Sequence, residues 1–339
     1  MQITKFTRLA FIVIFFTWLS FVTVSVADDQ VVNYSILLTK SLFLDINSKG
    51  DTVMAVGERG HIIISRNGNP WRSIKTGVNS TLTAVYLYDE EHAWAVGHDS
   101  VILKTTDGGN HWRRVYFAPE EETPLLDVWF ENDQHGIAIG AYGLYLTTTD
   151  GGNTWHREHM NIVDAVSHGT PENEDEDLVD LYDLHLNAIA ADHNGNLYIV
   201  AEAGRIYRSV DKGKSWHELK SPYIGSLFGI LVLDDDSLLV FGLRGHLYHT
   251  YDHGNNWEEI DTHTREMLTD GEELDNGDIV IVGLGGTVLV SMDKGITFTG
   301  RNPGNRNSYS AVVSFRKNVI MAGDHGVEKY SYRQLDMDK

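Results

Sequence analysis

Apolar and polar positions trade places along this chain over short stretches, and no helical heptad pattern is sustained anywhere. One stretch shows the grammar. Leu82–Tyr88 (LTAVYLY) reads as a strand, Glu90-Glu91 as a turn, and His92–Gly97 (HAWAVG) as a second strand. His98-Asp99-Ser100 turns again, and Val101–Thr106 (VILKTT) is a third strand. Asp107–Trp112 (DGGNHW) makes a tight turn, and Arg113–Phe117 (RRVYF) is a fourth strand. The content of 32 Gly and 6 Pro suits many short strands joined by tight turns.

The third turn returns. KTTDGGNHW ends at Trp112, TTTDGGNTW at Trp155, RSVDKGKSW at Trp216, HTYDHGNNW at Trp257 and VSMDKGITF at Phe298, while a worn copy ends at Trp71. The spacings are 41, 43, 61, 41 and 41 residues, the mark of a repeat architecture. A second marker, a strand ending in a small residue and then a turn bearing Gly, falls at Gly60, Ser100, Gly143, Gly204, Gly245 and Gly286, with Gly326 in register 40 residues on. Seven units of four antiparallel strands predict an all-β chain, a seven-bladed β-propeller. The last unit shows only three clear strands. Val31–Leu38 (VVNYSILL) is therefore expected to close that blade as its outer strand, leaving no edge unpaired.

Each residue type in the returning turn has an architectural use. A short acid accepts bonds from backbone N–H groups of its own turn, glycine takes φ > 0, and an aromatic ring seals the gap to the neighbouring blade. The structural set is Asp107, Gly109 and Trp112; Asp150, Gly152 and Trp155; Asp211, Gly213 and Trp216; Asp252, Gly254 and Trp257; Asp293, Gly295 and Phe298. Thr148 is expected to hold the bend locally. One catalytic centre has no use for five copies, so these acids are not read as catalytic.

Residues 1–27 read as an export signal. Lys5 and Arg8 precede the apolar run Leu9–Val24, and Ser25-Val26-Ala27 supplies small residues for cleavage; a retained anchor is the other reading. The remainder, 28–339, is expected to be a single propeller, exported to a periplasm, or to a thylakoid lumen in a photosynthetic organism. The chain has no Cys, which excludes disulfides, thiolate metal sites and a lipid-bearing Cys. Its net charge of −21 disfavours nucleic acid and anionic membrane surfaces as partners, and keeps an exported protein monomeric. No direct membrane insertion is expected once the signal is removed.

Propeller geometry puts the second-to-third strand turns and the blade connections on the face opposite the repeated turn. An acidic insertion at about 162–184 belongs to that face. Its section Glu172–Asp183 carries seven acids and no base. A solvated loop, a docking element for a basic partner and a calcium site all fit, although the spacing is not that of an EF-hand. As a docking element it would use Glu174 and Asp177 with Leu181 and Tyr182 as apolar anchors. Arg59, Arg205 and Arg244 stand beside the glycines of the turns, and Arg306 in the connection to blade seven. Either they are paired among the acids or they form a positive island that grips a carboxylate. Sixteen His are scattered without metal-ligand spacing, and no cofactor motif is present.

The repeated strings are Asp-boxes, of the pattern S/T-x-D-x-G-x-T-W, best kept at Thr148–Trp155 and Ser209–Trp216. Together with the turn pattern VGxxGxIxxTxDGGxxW and a signal peptide, roughly residues 35–330 resemble the photosystem II assembly factor family (Ycf48-like, BNR repeat). The resemblance implies a non-enzymatic exported scaffold that binds a protein partner, an assembling membrane complex or transporter. The chain departs from that pattern in being strongly acidic where photosynthetic members carry an arginine-rich patch, and in lacking the lipoprotein Cys. The alternative is an Asp-box glycoside hydrolase, sialidase- or xyloglucanase-like.

Overall fold

The computed structural model describes residues 40–164, 184–335 and 337. Within them, seven successive antiparallel sheets follow the chain, each laid from the axis outwards in sequence order. Blade one is Phe43–Lys49, Thr52–Gly57, Ile62–Arg66 and Arg72–Ile74. Blade two is Leu82–Leu87, Ala93–Gly97, Ile102–Thr105 and Arg113–Tyr116. Blade three is Leu125–Phe130, Gly136–Gly140, Tyr145–Thr148 and His156–Glu158. Blade four is Leu186–Ala191, Leu197–Ala201, Ile206–Ser209 and Trp216–Glu218. Blade five is Leu227–Val232, Leu238–Gly242, Leu247–Thr250 and Glu258–Glu259. Blade six is Leu268–Glu273, Ile279–Gly283, Val288–Ser291 and Thr299–Arg301. Blade seven is Tyr309–Ser314, Asn318–Gly323 and Gly326–Ser331. This is the seven-bladed all-β propeller the repeat predicts. Val31–Leu38, expected to supply the outer strand of blade seven, lies outside the described residues.

Blades pack face to face, so a strand inside a blade is covered on both sides. That is why the second strands, such as TVMAVG and IVIVG, are apolar without alternation and wholly buried. The outermost strands His156–Glu158 and Glu258–Glu259 are exposed and polar. Among the described residues the core consists of seven apolar clusters, one between each pair of neighbours. The last of them joins Val313 and Ile320 of blade seven to Phe43, Ile46 and Ile63 of blade one, which closes the ring. Tyr332, Leu335 and Met337, beyond the last strand, pack between blades six and seven.

One element has no counterpart in the repeat. Ile162–Asp164 adds a fifth strand to blade four, parallel to Trp216–Glu218, with Ile162 opposite Trp216. The insertion thus begins by covering the outer edge of that blade. Asn161 O accepts the Trp216 N–H at 2.8 Å, and Asp164 meets His217 at 3.0 Å.

The Asp-box turns carry the chemistry expected of them. Asp150 Oδ1 accepts the N–H groups of Asn153 and Thr154, both at 2.9 Å, and Oδ2 accepts the Thr154 hydroxyl at 2.7 Å. The Thr148 hydroxyl donates to Asp150 and accepts the Gly152 N–H, each at 2.9 Å. The Thr154 N–H, then its hydroxyl, hold the Asp150 carboxyl down at about 2. Gly152 has φ 76°, and a Cβ there would stand 2.5 Å from Trp94 Nε1. Trp155 is buried with Trp94 and Phe130, edge-on to Phe130 at 5.7 Å. The N–H bond from the residue four positions on recurs at Asp107, Asp211, Asp252 and Asp293, with a hydroxyl as side-chain partner at Asp211 and Asp293, a histidine at Asp107 and an asparagine amide at Asp252.

Candidate functional site: the turn face and the channel

Six second-to-third strand turns share one backbone form. Each is a single 3-10 turn whose middle residue is left-handed: Arg59 (φ 55°), Asp99 (φ 60°), Tyr142 (φ 53°), Ala203 (φ 53°), Arg244 (φ 58°) and Gly285 (φ 65°). The residue that follows lies under the next blade connection. A Cβ on Gly245 would stand 2.4 Å from Thr264 O. In blade two that place is taken by Ser100, and its hydroxyl donates to the Thr123 carbonyl at 2.6 Å. Glycine lets the connecting backbone descend onto the turn; serine bonds it instead.

Arg59 and Arg244 therefore stand at the tips, exposed, with no ion pair or hydrogen bond among the described residues. Arg306, in the connection to blade seven, is likewise exposed and unpaired among them. Arg205 does not join this set. It follows its glycine instead of preceding it, so its side chain leaves the residue just ahead of the third strand and pairs with Glu218 on the fourth strand, where Glu218 is only 3% exposed. The structure supplies a partner for Arg244 that the sequence pattern did not single out. Arg265, in the connection from blade five to blade six, shares with Arg244 a cleft of about 810 Å³ that also takes in His246, Asp261, Thr262 and Thr264. Beside it, Tyr223 lies against His246 at 4.3 Å, and His246 is parallel to Tyr248 at 6.0 Å. Arg244 and Arg265 make no ion pair among the described residues, and the acids of the same cleft, Glu259 and Asp261, are engaged with His246 and His263; with the aromatic shelf, the two guanidinium groups can seat a carboxylate and an adjoining flat side chain. Glu174, Asp177, Leu181 and Tyr182 lie outside the described residues. The insertion returns at Leu184, whose carbonyl accepts the Gly143 N–H at 2.8 Å.

The axis holds a second polar region, which the sequence reading missed. The first strands of all seven blades line a channel of about 460 Å³. Asp45 Oδ2 accepts the Val85 N–H of blade two at 2.7 Å. Asp127 accepts the Ile189 N–H of blade four at 2.9 Å, and Asp270 the Val312 N–H of blade seven at 2.8 Å. The second oxygen of each takes the N–H of its own next residue. The blade that receives each bond has alanine at the matching position, Ala84, Ala188 and Ala311, which leaves room for the carboxylate. Thr83 donates to Leu125 O at 2.7 Å and Asn187 to Leu227 O at 2.7 Å, joining two further blade pairs. Burial, against its two N–H bonds, lifts Asp45 to about 6. Burial, with the Asp45 charge adding to it, lifts Asp127 to about 7, and the same two causes raise Asp270 well above the carboxylate range. Burial also pushes Glu272, bonded to the Ser314 N–H, to about 7. With both oxygens of each aspartate taken by backbone, these groups are blade ties and not an acid–base pair on a substrate. Among the described residues no three His, Asp or Glu side chains are grouped to hold a metal, and no helix is long and apolar enough to cross a membrane.

Comparison with known proteins fits this frame. A family model described as Photosynthesis system II assembly factor YCF48 matches residues 63–269, more than half the chain. Photosystem II assembly protein Ycf48 of Thermosynechococcus vestitus is 35% identical over 161 residues, 46% of this chain; the match spans 40% of that relative's length. The solved structure of YCF48 bound to a D1 peptide superposes with a TM-score of 0.67 at 17% identity, covering 88% of this chain and 95% of that one. YCF48 from Cyanidioschyzon merolae gives 0.68, again at 17% identity, over 88% and 98%. At such identity the two structures speak for the fold.

Proposed function

This chain belongs to the Photosynthesis system II assembly factor YCF48 family, a family of non-enzymatic proteins, and we propose that it is an exported scaffold holding a subunit of a membrane-protein complex during assembly. The family sets aside the glycoside hydrolase reading. The partner is proposed to lie on the face of the second-to-third strand turns and blade connections. The observation that carries this is the cleft where Arg244 and Arg265 stand without ion-pair partners among the described residues, in a chain of net charge −21, while its acids Glu259 and Asp261 pair with histidines. Unpaired arginines are scarce where acids outnumber bases, and two in one concave site fit an anionic group of a partner. That a relative has been solved with a D1 peptide supports a peptide as the ligand. Arg59 and Arg306 extend the same face. The acidic section with Glu174, Asp177, Leu181 and Tyr182 is proposed as a second docking element for basic parts of the same client. The site of action is proposed to be a periplasm or a thylakoid lumen, with the protein acting as a monomer.

The test is titration of fluorescent peptides from membrane-complex subunits, a D1 peptide among them, each with a free and an amidated C-terminus. The free form should bind, and Arg59→Ala with Arg244→Ala should weaken it about tenfold, the worth of a charge-assisted contact. Unchanged affinity in the double variant, or equal binding of the amidated peptides, refutes this choice of face and ligand.

A further inference from the structure

The opposite face, formed by the Asp-box turns, is built in two unlike halves. On blades one to three, surface side chains lace neighbouring turns together. Arg66 reaches the Gly108 carbonyl, Arg72 reaches Asn110 at 2.8 Å, and Arg113 reaches Asn153 at 2.8 Å. On blades four to six, no arginine of this kind joins the turns among the described residues. The residue before each box aspartate is instead large and apolar: Val210 is 59% exposed, Tyr251 55% and Met292 37%. The matching positions on blades one to three are Arg66, Thr106 and Thr149. Neighbouring blades thus carry three apolar groups in one register, which scattered surface residues do not produce.

Ile296 adds an independent sign. At its position Asn110, Asn153 and Asn255 each donate a side-chain amide bond to the carbonyl of their box aspartate, at 2.7, 2.6 and 2.6 Å. Blade six gives up that bond for an isoleucine that is 62% exposed. A turn that forgoes a hydrogen bond to present apolar surface is shaped by something other than its own folding. Tyr251 is also held in place, its ring 4.1 Å from that of His249, which is buried beneath it.

Charge selects the occupant. Most cations of these turns are already matched: Lys212 pairs with Glu131, His253 lies 3.7 Å from Asp192, and Lys294 faces Asp235 and Glu273, while Lys214 is exposed without an ion pair among the described residues. The first-to-second strand turns on the same face add exposed Asp234 and Asp275. We propose that Val210, Tyr251, Met292 and Ile296 form a second docking surface for an amphipathic protein segment whose apolar stripe is flanked by Lys and Arg. An anionic bilayer is repelled by the net charge of −21, and a second copy would set one acidic face on another. The surface lies on the face away from Arg244 and does not depend on the ligand proposed there.

The experiment uses the whole protein and a fluorescent amphipathic Leu/Lys peptide of about 18 residues, with its Leu/Glu counterpart. The Leu/Lys peptide should bind, and Ile296→Asn with Tyr251→Ser should weaken it about tenfold although neither change alters the charge. Ile296→Asn alone should melt no lower than wild type, because it regains the amide bond of its sister turns; this separates lost docking from lost folding. Equal binding of the Leu/Glu peptide, or unaltered binding by the double variant, overturns the proposal. So does flotation with phosphatidylcholine/phosphatidylglycerol vesicles, or dimerisation in sedimentation, if either depends on Tyr251 and Ile296.

Discussion

The channel aspartates make stability depend on pH in an unusual direction. Burial and the Asp45 charge raise Asp127 from 3.8 to about 7 in the folded state. Between those values the folded chain holds a proton that the unfolded chain has released. The contribution is therefore fully present below the unfolded value and is lost as pH rises through about 7. A separation of about three units corresponds to about 4 kcal/mol. Asp45, raised to about 6, acts in the same sense, but the two charges repel one another and their contributions do not add in full. His249 opposes them. Burial holds it below its ordinary 6.5, so its contribution is present above that value and is lost as pH falls below it. The informative quantity is the difference between wild type and Asp127→Asn, in which His249 cancels. Urea unfolding at about pH 8 and about pH 5 should show wild type gaining about 2.5 kcal/mol more on acidification than the variant, because only the two units between about pH 7 and about pH 5 are crossed. Parallel pH profiles for the two proteins would falsify the assignment of a raised carboxyl at this position.

Two further outcomes follow from packing. Trp155→Ala removes a buried indole from the seam between blades two and three and should cost about 3–5 kcal/mol in urea unfolding; a loss under about 1 kcal/mol would show that the ring is not a seal. Arg205→Met leaves Glu218 buried without its guanidinium, so the melting temperature should fall by the equivalent of about 3 kcal/mol while peptide affinity on the turn face stays as it was. Weakened peptide binding in that variant would restore Arg205 to the partner site.

The frame was legible because its signals are local. An Asp-box fits in nine residues, its period repeats, and Thr148, Asp150 and Gly152 bond almost wholly within one turn. The channel ties are not local. Asp45, Asp127 and Asp270 occupy the same register on blades one, three and six, with small residues at that place on the others, so the 41-residue period does not display them. The available signal was an acid in the middle of an apolar first strand, as in LLDVWF. Arg205 misled because adjacency to a glycine was counted on either side, whereas only the residue before it reaches the tip. Arg265 carried no repeat signature, and the fifth strand Ile162–Asp164 is too short to show alternation.

The left-handed tips of the turn face have an evolutionary consequence. Arg, Asp, Tyr, Ala and Gly all occupy the same backbone corner in different sectors, and the conformational cost of about 1 kcal/mol is already borne by every occupant that is not glycine. The corner is a socket indifferent to what is plugged into it. Mutation can redraw what this surface selects, one sector at a time, while the ring beneath is inherited intact.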